Sequence, residues 1–267
     1  MDESLFELPA GAFRFELGLR RGDVAFFRNA DSDAPLLSER ARWLAAEPDR
    51  YARALPGSEA LIEDAAEFAR SMNPGIAQGP SDLVTLGRSW APDFLLLAPG
   101  AVGANVLQAG CVCFPTLWDL GEKMGKPMAK IHAPVPTLND SLSRQIEGFL
   151  TALRPGVVWE RWNWGLAATA ERNGHPGLDL PRLNSAATID GTWLRSEHQA
   201  FMRLPVTRAV LFGIRLVIEP LRETVGQPQA AARLAHLLET MPAAVAQYKG
   251  VATARAALVA ELRRISA

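Results

Sequence analysis

The order of strand-like and helix-like segments limits what this chain can become more than any single residue does. Residues 94–97 and 106–114 read as strands, 116–124 and 139–153 as helices, and 157–166, 192–204 and 206–218 as three further strands, with Pro205 where the last two would turn. Two strands, then helices, then three strands predict an α+β fold. Its antiparallel sheet would have the intervening helices over one face. A doubly wound nucleotide fold needs strands and helices to alternate, and they do not. Helical spacing also marks 38–55, with Ser38 as a cap and Pro48 starting a second helix, and 58–72. The turn-rich stretch 73–80 predicts a boundary, and 170–190 reads as a long polar loop. The tail from 221 returns to helices, broken near Gly226 and Met241. The expected units are an N-terminal arm with helices over 1–80, a core domain over 81–220 and C-terminal helices over 221–267, packed as one compact body.

Of the 267 residues, 48% are apolar, enough for a large core. Lys and Arg number 28 against 29 Asp and Glu, interleaved, so neither nucleic acid nor an anionic membrane is an expected partner. The acidic start lacks a signal-peptide pattern, and Arg215 interrupts the strongest apolar stretch, 209–218. A cytoplasmic location is expected. Cys111 and Cys113 share one face of a strand and read as reduced core thiols. There is no G-x-G-x-x-G, Walker or G-x-S-x-G motif, which argues against a self-contained dehydrogenase, NTPase or serine hydrolase. Two cysteines cannot hold an all-cysteine iron–sulfur cluster, so a redox enzyme of this sequence would take its electrons from another protein.

His132 stands out because Pro134 and Pro136 stiffen the turns beside it. A histidine held this way suits a metal ligand; a histidine satisfied by backbone hydrogen bonds is the more common outcome for the residue type. Zinc would want partners at recognisable spacing, and His175, His198 and His236 stand alone. Haem needs only one protein ligand. In the aromatic strand 159–165, Trp162 and Trp164 share one face while Arg161 and Asn163 share the other; Trp164 could wall a cofactor or fill a core. Alternation puts Arg195, Glu197, Gln199, Phe201 and Arg203 on one face, either a solvated surface or a polar pocket. Arg215 lies in an apolar strand and must find an anion, from a ligand carboxylate or from Glu160 or Glu197. Gly213, two residues away, would let a planar ligand approach.

At Cys-Phe-Pro-Thr-Leu-Trp (113–118), Glu-Lys-Met-Gly-Lys-Pro (122–127), Ile-His-Ala-Pro-Val-Pro (131–136), Leu-Arg-Pro-Gly (153–156), Asn-Trp (163–164), Leu-Arg-Ser-Glu-His-Gln (194–199), Arg-Leu-Pro (203–205), Ile-Arg (214–215) and Tyr-Lys-Gly (248–250), the chain resembles the alpha subunit of haem-dependent oxidative N-demethylase, or dimethylamine monooxygenase. The resemblance runs from about residue 35 to the C-terminus. It implies a PAS-like five-stranded sheet that binds haem b, and oxidation of a small methylated amine by O2 with release of formaldehyde. It further implies electrons from a partner reductase carrying FMN, a 2Fe–2S cluster and NADPH, and it is compatible with an oligomer.

Carried onto this chain, the resemblance makes His132 the metal ligand and axial haem residue. It makes Glu197, Gln199 and Arg215 catalytic candidates, with Arg215, Gly213, Asn163 and Trp164 beside the cofactor. Where the family pattern has Arg after the glutamate, this chain has His198. The alternative function is a non-catalytic haem-binding PAS-type sensor or carrier. Such sensors usually carry an output domain, and none is visible in these residues. A structural subunit without cofactor is the third reading.

Overall fold

The computed structural model describes residues 8–76, 81–100 and 103–267. Seven strands form one antiparallel sheet: β1 (Arg20–Arg21), β2 (Ala52–Ala54), β3 (Asp93–Pro99), β4 (Asn105–Cys111), β5 (Trp159–Ala167), β6 (Trp193–Arg203) and β7 (Val210–Pro220), in the spatial order β1-β5-β6-β7-β3-β4-β2. The expected five strands are the five long ones. Two very short strands at the margins make the sheet seven-stranded rather than five-stranded, and both were too short to leave a period in the sequence.

Ten α-helices pack around the sheet among the described residues: α1 (Ala34–Ala46), α2 (Pro48–Tyr51), α3 (Glu59–Met72), α4 (Leu83–Ser89), α5 (Met128–Ile131), α6 (Leu138–Ala152), α7 (Leu221–Thr224), α8 (Pro228–Thr240), α9 (Ala243–Tyr248) and α10 (Arg255–Ser266). Helices cover both faces, not one. On the first face, Leu142, Ile146 and Leu150 recur one turn apart along α6 and pack with Leu95, Leu97, Leu107 and Val210. On the reverse face, Leu44, Ala65 and Leu86 from α1, α3 and α4 meet Phe94, Leu96, Ala200 and Leu211. The C-terminal helices close the rest of the reverse face through Leu234, Leu238 and Leu258 against Trp164, Leu166 and Leu194. The sheet is therefore covered on both sides, which explains why β3 and most of β7 read as nearly unbroken apolar runs.

Arg40 and Asp93 form an ion pair inside the reverse core. Arg40 Nε also donates to Gly87 O (2.7 Å), while Asp93 accepts the N–H groups of Cys113 (2.8 Å) and Phe114 (3.0 Å). Burial raises the Asp93 pKa, and Arg40 with these N–H groups opposes that rise. Cys111 and Cys113 are buried and free.

Three local expectations are corrected. Residues 116–124 do not form a helix: Leu117 adopts φ 60° and its N–H bonds Gly174 O (3.0 Å), Asp119 accepts from Glu122 N–H (3.1 Å), and only a 3-10 turn, Gly121–Lys123, remains. A side chain competing for the backbone has replaced the helical pattern. The first helix starts at Ala34 with Pro35 in its first turn, and Ser38 donates to Ala34 O (3.0 Å) instead of capping. The last strand starts at Val210, after a turn through Pro205. Residues 77–80 of the expected boundary lie outside the described residues.

Candidate functional site: a buried cavity between the sheet and the His132 turn

Strand register decides which residues can meet. Asn163 pairs with Glu197 and Arg161 with Gln199 across β5 and β6, and Glu197 and Gln199 pair with Leu216 and Ile214 on β7. Paired residues in an antiparallel ladder project to the same side, so Arg161, Asn163, Glu197, Gln199 and Ile214 share the first face. A cavity of about 570 Å³ lies on this face, within the range of cofactor and ligand pockets. Leu95, Leu97, Phe201 and Phe212 form its apolar floor; Ile131, His132, Ile146 and Phe149 form the wall opposite. Phe201 and Phe212 stack at 4.4 Å.

The expected polar row is in place, and it is not solvated. Arg195, Glu197 and Gln199 are 5%, 9% and 8% exposed. Glu197 is held by three neutral donors: Thr116 Oγ1 at 2.7 Å on one oxygen, and Gln199 Nε2 at 2.8 Å and Asn163 Nδ2 at 3.2 Å on the other. Arg195 donates to Glu171 O (2.7 Å) and Arg172 O (2.9 Å), tying the long loop to β6. Arg203, at the end of the row, donates to Leu150 O (2.9 Å) and Leu153 O (3.0 Å) and so closes the C-terminus of α6.

His132 caps α5, its N–H bonding Met128 O and its carbonyl accepting from Val135 N–H, both at 2.9 Å. Asn139 fixes the following helix to this turn through Ala129 O (2.8 Å) rather than acting as a cap. The half-buried ring lines the cavity; its Nδ1 is enclosed and has no hydrogen-bond partner among the described residues. Burial, then the charges of Arg161 and Lys123, lower its pKa to about 4. The imidazole is therefore neutral at pH 7, and it carries a lone pair, as a metal ligand must. No group of three or more His, Cys, Asp or Glu that could hold a metal ion comes together among the described residues, so His132 is not part of a multi-ligand site.

Gly213 and Arg215 are not in the cavity. Arg215 pairs with His198 and Gly213 with Ala200 across the ladder, which puts both on the reverse face. A Cβ on Gly213 would lie 2.7 Å from ring carbons of Phe26 and Phe27, so the close approach that glycine permits is to these phenylalanines, not to a planar ligand. Arg215 donates to Phe26 O (2.8 Å) and pairs with Asp33 (3.1 Å), a partner supplied by the N-terminal segment rather than Glu160 or Glu197. His198 also faces away from the cavity. It stacks on Trp162 (4.2 Å) and bonds Glu160 (3.0 Å), so the departure from the family pattern at this position does not alter the cavity wall. Trp164 borders the cavity at the edge of β5, and its ring packs into the core beneath the C-terminal helices.

Residues that the motif reading did not select complete the polar end. Thr116 positions Glu197, Arg161 projects beside Asn163, and Lys249 arrives from the far end of the chain. Lys249 Nζ donates to Trp164 O (2.6 Å) and lies 5.5 Å from the Trp164 ring centroid. Burial lowers its pKa to about 8; Glu197 opposes the shift and Arg161 adds to it. The parity shared by Arg161 and Asn163 could have flagged Arg161, whereas nothing local announces the partners of Lys249.

A cavity with largely apolar walls, one fixed carboxylate and a neutral histidine is the candidate site for a large ligand or prosthetic group in this α+β scaffold. The family model described as haem-dependent oxidative N-demethylase, alpha subunit-like, matches residues 48–259, and the chain belongs to this family. That description carries haem dependence, an oxidative N-demethylase and an alpha subunit, which implies other components in the working enzyme. The residues fit such a group: one free imidazole nitrogen, flanking apolar surface and nearby cationic side chains are what haem requires of a protein. No helix among the described residues is long and apolar enough to cross a membrane.

Proposed function

We propose that this chain is the substrate-oxidising subunit of an oxidative N-demethylase, with haem b held by His132 and a small methylated amine, dimethylamine-like, bound beside Glu197. The observation that carries the reading is the neutral imidazole of His132, whose side chain makes no hydrogen bond among the described residues, in the wall of a cavity that also holds the three-donor Glu197 cage. The central strand order β4-β3-β7-β6-β5 supports the PAS-like comparison. Haem bound there would supply activation of O2 for oxidation of an N-methyl group to the level of formaldehyde.

The chain's own residues supply binding and order. His132 is prevented from protonating by burial, so its lone pair stays available. Thr116, Asn163 and Gln199 fix Glu197 with three of its acceptor positions used, leaving one for an ammonium N–H. Such a preset acceptor orients the amine without reorganisation during reaction. Leu95, Leu97, Phe201 and Phe212 exclude water from the methyl group. Oxidising one N-methyl carbon with O2, while reducing the second oxygen atom to water, needs two electrons from outside. A partner reductase with FMN, 2Fe–2S and NADPH fits that need.

Absorption spectroscopy of the chain expressed with ample haem tests this. A Soret band is expected, lost or displaced in His132→Ala, together with oxygen uptake on adding dimethylamine and a chemical reductant. No Soret band in the unaltered protein overturns the reading. Haem binding without oxygen uptake on any methylamine would favour the sensor or carrier alternative.

A further inference from the structure

The cavity is richer in positive than in negative charge, and the excess is not paired inside the protein. Arg161, Arg195 and Lys249 converge on its polar end, where Glu197 is the central carboxylate. Glu197 accepts from neutral donors and forms no ion pair with any of the three. Arg195 and Lys249 spend their N–H groups on backbone carbonyls. Arg161 is different: among the described residues its guanidinium makes no hydrogen bond and no ion pair at all, whereas Arg195 shares only the enclosed, unpartnered Nε.

A buried guanidinium cannot be neutralised by losing its proton, so it needs acceptors or an anion, and unlike Arg195 and Arg203 it serves no backbone carbonyl among the described residues. Planarity makes that anion a carboxylate by preference, since two parallel N–H groups match two carboxylate oxygens. Arg161 lies two residues from Asn163 on the same side of β5, directly across from Gln199 and within the electrostatic reach of both Glu197 and His132. The carboxylate it takes is thus part of whatever occupies the cavity.

The geometry points to Arg161 as the carboxylate-binding residue of the cavity, selecting an occupant that bears at least one carboxylate group next to the Glu197 cage. The carboxylate has two chemical sources. One is a propionate of the prosthetic group; the other is a zwitterionic N-methyl amino acid, whose ammonium would sit at Glu197 and whose carboxylate would sit at Arg161. This deepens the proposed function, and only the haem arm of its test rests on that proposal.

The test compares the full chain with Arg161→Gln and Arg161→Lys, after circular dichroism has shown all three folded. Haem and its dimethyl ester, in which both propionates are masked, are titrated by absorbance; N-methylglycine and dimethylamine are titrated by calorimetry on the haem-free chain. If the carboxylate is a propionate, Arg161→Gln weakens haem by about tenfold or more, as loss of a charge-assisted pair should. The ester is then unaffected, and Arg161→Lys recovers part of the loss. If it belongs to the substrate, haem affinity is unchanged and N-methylglycine is weakened relative to dimethylamine. Equal weakening of haem and its ester, or no change with any of the four ligands, overturns the assignment. Failure of the unaltered chain to bind haem would instead sink the proposed function, leaving the calorimetric arm to decide this inference.

Discussion

The two faces of the sheet carry comparable amounts of buried charge and treat it in opposite ways. On the reverse face, Arg40 pairs with Asp93, Arg215 with Asp33, and His198 with Glu160, each inside packed apolar groups. On the first face, Arg161 and the Nδ1 atom of His132 have no hydrogen-bond partner among the described residues, and both side chains border a cavity. Buried charges are normally paired, so the face with paired charges describes architecture and the face with an unpaired one describes a place kept for something else. Residue type alone does not separate these cases: both faces have a strand arginine and a partly buried histidine.

Substitutions on the two faces should therefore differ in sign as well as size. The largest loss is expected from Asp93→Ala, which strands Arg40 in the core and two N–H groups beside it; about 3–5 kcal/mol of stability should disappear in denaturant titration. Arg215→Met comes next, at about 1–3 kcal/mol, because Asp33 and the Phe26 carbonyl lose a partly buried donor. Arg161→Met, chemically the same change on the other face, should leave stability within about 0.5 kcal/mol or raise it, since no contact is lost and an unpaired charge is removed. An Arg161→Met loss as large as that of Arg215→Met would break the comparison.

The effect expected at Lys249 appears only as a pH dependence. Folding lowers its pKa from 10.5 to about 8, so between those values the unfolded chain binds more protons and stability rises with pH. Below pH 8 both states are protonated and the whole cost of burying the charge is present. Relative to Lys249→Met, the unaltered protein should gain up to about 1 kcal/mol per pH unit between pH 8 and 10. Parallel thermal melts of the two proteins across that range measure it, and a flat difference would show that the cavity does not depress this amine.

Much of the fold was written into periodicity. The five long strands, α3, α6 and the broken C-terminal helices fall where apolar spacing puts them, because each buries a continuous stripe. The failures have a common physical cause in contacts distant along the chain. The 116–124 segment has a helical pattern but is claimed by Gly174 and by the side chain of Asp119. The site was legible in part for the same reason. Alternation correctly grouped Glu197 with Gln199 and Gly213 with Arg215, but period two cannot say which side of a sheet a group occupies. Only the register between β6 and β7, set by the turn through Pro205, shows that these two groups point away from each other.

The short margins of the sheet have a consequence for assembly. Along β4, the three residues of β2 are followed by Leu55 N–H on Gln108 O (2.8 Å), Gly125 N–H on Leu107 O (2.8 Å) and Leu107 N–H on Lys126 O (3.2 Å). Along β5, Arg20 and Arg21 cover the first two residues, and Lys249 occupies the carbonyl of Trp164 further on. The chain has thus used its own loops as end-stops along β4, while on β5 two paired residues and one amine cover only part of the edge. A partner protein meeting the β4 edge must then recognise side chains and helices more than backbone, since the loops already take the pairing positions beside β2.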